Sequence, residues 1–112
     1  MATRQDIADY IVSQVSGAGV VRSGKMFGEY ALYCEDKVVA LICDNQLFVK
    51  PTAAGRAYLG EVEEGQPYPG AKPWFLIAED YWDDSDWLTG LISVTTPEVP
   101  LPKPKKKKTP KS

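Results

Sequence analysis

The chain has no histidine among its 112 residues. That removes the commonest general base near neutral pH and the commonest transition-metal ligand. Ser-His-Asp and Cys-His catalysis are excluded within one chain, as are His-containing zinc sites. No metal site and no cofactor is expected. Long apolar runs are missing too, so nothing in the sequence reads as a membrane span. The start, Met1 to Asp6, lacks the apolar core of a signal peptide and turns acidic at once, which makes the cytoplasm the expected compartment.

What is present is ordinary for a soluble globular domain. Hydrophobic residues make up 44% and charged residues 25%. The length allows one domain with a real core. The net charge of −2 hides an asymmetry: residues 1–102 hold seven Lys+Arg against fifteen Asp+Glu, a net −8, while residues 103–112 carry +6. The body is therefore a poor nucleic-acid binder by bulk charge. Residues 1–97 read as the folded domain. Residues 98–112, rich in Pro and Lys with no apolar periodicity, read as a disordered basic tail.

Thr3 to Gly17 reads as a helix, capped by Thr3 with Asp6 three residues on, and with Ile7, Tyr10, Ile11 and Val15 on its apolar face. Three strands follow: about Lys25 to Cys34, Lys37 to Cys43, and Gln46 to Lys50. They are joined by the two-residue turns Glu35-Asp36 and Asp44-Asn45. Unbroken two-residue hairpins would set Tyr30 opposite Leu41, Leu32 opposite Val39, Ala31 opposite Ala40 and Tyr33 opposite Val38, with Leu41 beside Phe48 and Ile42 beside Leu47.

That register makes both faces apolar. Ala31, Ala40, Ile42, Leu47 and Val49 are assigned to the core. Tyr30, Leu32, Val39, Leu41 and Phe48, rimmed by Lys37, Gln46 and Lys50, then need another cover, either from this chain or from a second copy as a homodimer.

Thr52 is placed to cap a helix from Ala53 to Leu59, with Gly60 after it. The segment Glu61 to Lys72, with its prolines, reads as a surface loop carrying at most a short edge strand near its end. Trp74 to Ala78 is a strand. Asp83 is placed to cap a last helix whose apolar face is Trp87, Leu88, Leu91 and Ile92. The class is α+β: two layers, a mostly antiparallel sheet with helices packed on it.

Several residues are site candidates. Cys34 and Cys43 share a face in the unbroken register but lie too far apart along it for a disulfide, so they read as small buried groups. Lys25, Lys50, Arg56 and Lys72 are candidates for an anionic ligand, against the plainer reading of scattered solvated charges. Glu29, mid-strand among apolar residues, needs a partner such as Lys25 or Arg22, and no second catalytic group accompanies it. Trp74 and Trp87 read as core, and Trp82 as a surface residue suited to a protein partner. Lys103, Lys105, Lys106, Lys107, Lys108 and Lys111 are suited either to contact phosphates non-specifically or to solubilise the terminus.

The segment Lys25-Met26-Phe27-Gly28-Glu29-Tyr30-Ala31-Leu32-Tyr33, with Val39-Ala40-Leu41-Ile42 and Leu47-Phe48-Val49-Lys50, resembles the N-terminal domain of the TfoX/Sxy family. The likeness continues through Gly55-Arg56-Ala57 and Pro67-Tyr68-Pro69-Gly70-Ala71-Lys72-Pro73, and covers about residues 5 to 96. It implies a secretion-chaperone-like α+β domain of order α-β-β-β-α-β-β-α. It also implies bacterial gene regulation, since TfoX/Sxy proteins are positive regulators of natural competence genes that act with a cyclic-AMP-responsive activator. Longer members carry a second, helical domain; here a lysine tail follows, so a stand-alone single-domain member is expected.

The resemblance offers no catalytic residues. The leading reading is a non-enzymatic regulatory module with a protein partner in transcription and a tail able to touch nucleic acid. The alternative is a small anionic-ligand-binding domain. An enzyme is the weakest reading.

Overall fold

Two tight turns fix the centre of the sheet. Glu35 and Asp36 have φ of 53° and 66°, and Asp44 and Asn45 have φ of 52° and 58°. Positive φ at both central residues is the type I′ geometry, whose twist matches that of the flanking strands. These turns connect β2 (Glu29–Cys34), β3 (Lys37–Cys43) and β4 (Gln46–Val49), as the sequence indicates. The computed structural model describes residues 4–26 and 28–99. Thr3 and the lysines at 103–111 lie outside that range.

The stretch expected as one strand from about Lys25 to Cys34 is a hairpin instead. β1 (Val21–Met26) folds back on β2, with Met26 opposite Glu29 and Val21 opposite Cys34. Gly28 takes φ of 79°, a left-handed conformation that suits glycine and allows the reversal. Two further strands, β5 (Glu64–Gly65) and β6 (Trp74–Ile77), complete an antiparallel sheet of order β1-β2-β3-β4-β6-β5. A short edge strand does form in the segment from Glu61 to Lys72, but near its start rather than its end: β5 precedes the prolines, which cannot donate to a ladder.

The pairing of β3 with β4 is as expected, Leu41 against Phe48 and Ile42 against Leu47. The β2–β3 pairing is not. Tyr33 faces Val38 and Cys34 faces Lys37, but from Leu32 onward the register slips: Leu32 faces Ala40, Ala31 faces Leu41 and Tyr30 faces Ile42. Val39 is the extra residue of a β-bulge, which reverses the in-out alternation along β3. Val39 and Ala40 therefore both point into the main core. The two-face assignment holds for Ala40, Ile42, Leu47 and Val49 on the core side and for Leu41 and Phe48 on the other. It is inverted for Tyr30, Ala31, Leu32 and Val39.

Three helices cover the core side. α1 (Gln5–Gln14) buries Ala8 and Ile11, and Val15 follows them inward. Tyr10 is rotated out of that face, and its hydroxyl donates to the Asp83 carboxylate. The N-cap position of α1 is Arg4, with no side-chain cap; its guanidinium instead pairs with Asp6 at 2.6 Å.

α2 (Ala53–Leu59) is capped as the sequence indicates, the Gly55 N–H donating to Thr52 Oγ1 at 2.9 Å. Gly60 turns the chain at φ of 70°. α3 (Ser85–Thr95) is capped by Asp84, one residue later than expected, because Asp83 is taken by Tyr10. Its Leu88, Leu91 and Ile92 are fully buried.

The tryptophans also sort differently from expectation. A 3-10 turn at Glu79–Tyr81 folds Trp82 inward, where its indole N–H donates to the Ile77 carbonyl at 3.1 Å. Trp74 and Trp87 are the half-exposed ones.

Leu32→Ala is expected to cost about 2–5 kcal/mol, since Leu32 is fully buried between sheet and helices. Thr52→Ala is expected to cost about 1 kcal/mol through loss of the cap. Urea unfolding measures both, and equal costs would contradict this division between core and cap.

Candidate functional site

The side of the sheet away from the helices has its own apolar cluster. Ala31, Leu41, Cys43 and Phe48 are buried at its centre, with Met26, Tyr33, Val38, Trp74 and Leu76 half-buried around them. None of α1, α2 and α3 contributes to it. Gly65 of β5 sits against the Phe48 ring, and the chain then continues as a loop in which Pro67 and Ala71 are buried. The Gln66 side-chain amide donates to the Ala71 carbonyl at 2.8 Å and closes this loop on itself.

Between the loop and the β1–β2 hairpin lies a groove of about 820 Å³. Met26 and Glu29 line one side, Pro67, Tyr68 and Pro69 the other, and Cys43 and Phe48 the base. The size is that of a binding cleft, and its lining is mainly apolar. The carboxylate of Glu29 accepts from the Asp44 N–H at 3.1 Å, so it serves to hold the β3–β4 turn.

Burial pushes the Cys43 thiol up to about 11, with the charges of Glu29 and Asp44 adding to it. A neutral thiol is a poor nucleophile and a poor metal ligand. Cys34 is buried on the opposite side of the sheet, in the main core, because the bulge inverts the parity between the two positions. Both cysteines are free and buried, as the sequence suggests, but they do not share a face. Among the described residues, no group of three or more His, Cys, Asp or Glu could hold a metal ion.

The four cations considered for an anionic ligand lie at separate places. Lys25 is exposed on β1, paired with Tyr30 and so on the helix side. Lys50 lies on the open side, its ammonium 5.6 Å from the Trp74 ring centroid. Arg56 pairs with Glu64, and its guanidinium sits 5.1 Å over Phe75 of the core. Lys72 is exposed in the segment before β6. Lys50 lies by Trp74 on the open side and Lys72 two residues before it; Arg56 is at the same end of the sheet but on the helix side, over Phe75, and Lys25 is on the distant strand β1.

Lys37 leaves the rim expected for it and donates to the Thr96 carbonyl on the helix side at 3.1 Å. Arg22 takes a place on the open face, 4.1 Å over the Tyr33 ring.

Sequence reasoning missed the groove itself. Its hairpin wall was hidden by reading residues 25–34 as one strand. Its other wall is the proline-bearing loop, whose composition signals a turn but not where it lands.

Residues 13–96 match the TfoX N-terminal domain. A protein of Spirochaeta aurantia, described as an uncharacterized 12.7 kDa protein in the trpE 5′ region, is 45% identical over 109 residues, spanning 97% of this chain and 94% of the relative.

The raised Cys43 value gives a signed expectation. The folded state holds this proton more tightly than the unfolded chain, so the stability it adds is complete below about pH 9 and is lost as pH rises through about 11. Cys43→Ala is expected to flatten the fall in stability over that window. Thiol labelling at pH 8 is expected to be slow in the native protein and fast in urea; rapid native labelling of Cys43 would contradict the neutral, buried thiol.

Proposed function

Because the chain belongs to the TfoX N-terminal domain family, we propose that it is a non-enzymatic regulatory module, acting in the cytoplasm by binding a protein of the transcription machinery. The observation that carries this reading is the apolar groove on the helix-free side of the sheet, open between the β1–β2 hairpin and the loop of Pro67 and Pro69. An apolar cleft with a polar rim suits a protein segment inserting one or two hydrophobic side chains. Glu29 and Asp44 at its end disfavour an anionic ligand there. A second copy of the chain would use the same face.

The tail has a different part. The six lysines from Lys103 to Lys111 attract phosphates by displacing their counterions, while the net −8 of residues 1–102 opposes that attraction. Nucleic-acid binding through the tail is thus sequence-independent and serves to hold the module near DNA. Base reading falls to the partner.

Retention on immobilised RNA polymerase or a purified transcription activator is expected for the native chain. It is expected to be lost in Met26→Glu, which puts a charge into the groove wall. Replacing the six tail lysines by Ser is expected to weaken DNA association. The slope of log affinity against log salt should flatten by about 0.9 for each phosphate no longer neutralised. Absence of retention on both DNA and transcription proteins would overturn the proposal.

A further inference from the structure

Another concavity shares no lining residue with the groove. Between the end of α2 and the start of α3 is a hollow of about 200 Å³, with Leu59 and Val62 in its lining. One wall is an aromatic stack: the Tyr81 and Trp87 rings lie 4.8 Å apart at 29°. Tyr58 leans on the same Trp87 at 5.8 Å and anchors it, its hydroxyl donating to the Trp87 carbonyl at 2.8 Å. Tyr81 is 51% exposed, so one aromatic face is left to solvent.

The other wall carries Glu61 and Glu63, both exposed, and neither is in an ion pair among the described residues. Arg56, which lines an adjacent hollow with Glu61 and Glu63, is already paired with Glu64. Burial, and after it the charge of Asp84, raises the hydroxyl of the Tyr58 that anchors Trp87 above its usual value. An open aromatic face beside unpaired carboxylates is the chemistry that holds an alkylammonium or guanidinium group.

We propose that this aromatic–carboxylate hollow is a docking site for the lysines at 103–108 of the same chain. Two observations select that occupant. Charge is one: the body is −8 and the tail +6. Reach is the other. The described chain ends at Val99, and Glu98 just before it accepts from the Ala54 N–H at the start of α2. The hollow lies at the other end of α2, about 10 Å away along a seven-residue helix. Lys103 is within about 13 Å of extended chain from Val99, and Lys108 within about 30 Å. A tether of that length gives an effective concentration on the order of millimolar, enough for a weak contact to be occupied in cis.

The consequence goes beyond the function proposed above. A docked tail is withheld from phosphates, and a polyanion or high salt releases it.

The test uses the full chain with no nucleic acid or partner present, so its outcome is independent of the regulatory reading. Amide and indole N–H spectra of the native protein are compared, at low salt, with those of a variant carrying Ser at all six tail lysines. Shift differences are expected at Tyr81, at the Trp87 indole and at residues 58–63. They are expected to vanish at about 0.5 M salt, where screening acts within a few ångströms, and to be lost in Glu61→Gln/Glu63→Gln. They should not change on tenfold dilution. No difference at these residues, differences that persist in the double variant, or differences that disappear on dilution, as docking between two copies would give, would each overturn the proposal.

Discussion

The single extra residue at Val39 organises this sheet. Without it, β2 and β3 would alternate in step, and Leu32 and Tyr30 would share a side with Leu41 and Cys43 instead of Ala40 and Ile42. With it, the parity of β3 changes midway, so that Tyr30, Leu32, Cys34, Val39, Ala40 and Ile42 all gather on the helix side. The opposite side then receives Ala31, Tyr33, Val38, Leu41 and Cys43. A bulge costs one ladder rung and repays it in twist and in which side chains meet. Here it lets two apolar strands serve two different cores.

Those two cores differ in how they are closed. The helix side is closed by α1, α2 and α3, which bring in Ile11, Leu88, Leu91 and Ile92 as fully buried side chains. The other side is closed only in part, by a short edge strand and a proline-bearing loop whose Pro67 and Ala71 are the buried members. Prolines suit that task, since they fix the loop without needing ladder hydrogen bonds. The unclosed remainder is the groove at Met26, Cys43 and Phe48. Its thiol stays protonated, and of its two carboxylates Glu29 is engaged by the Asp44 turn amide.

Much of this was legible in the residues. Turn chemistry placed Glu35-Asp36 and Asp44-Asn45, and the capping residue Thr52 placed α2, because those signals are local. The quoted strand segments carried the family likeness, and residues 13–96 match the family. The need for a second cover was legible too, as a sheet apolar on both faces. What was not legible depends on long-range packing. A bulge leaves no mark in a run such as Val38-Val39-Ala40-Leu41, where every residue suits a strand. The hairpin at Gly28 interrupts a segment of good β composition, and the inward turn of Trp82 follows from a carbonyl at Ile77 that only the fold brings near. For the same reason the four cations proposed for one ligand, each plausible alone, end on different faces and edges.

The central claim is that the helix-free groove, rather than the helical layer, meets the partner. Methyl and amide shift mapping of the full chain against purified RNA polymerase or a transcription activator tests it most directly. The largest changes are expected at the Met26 methyl, Cys43 and the loop around Tyr68. Changes confined to the outer faces of α1 and α3, with the groove residues unmoved, would contradict it.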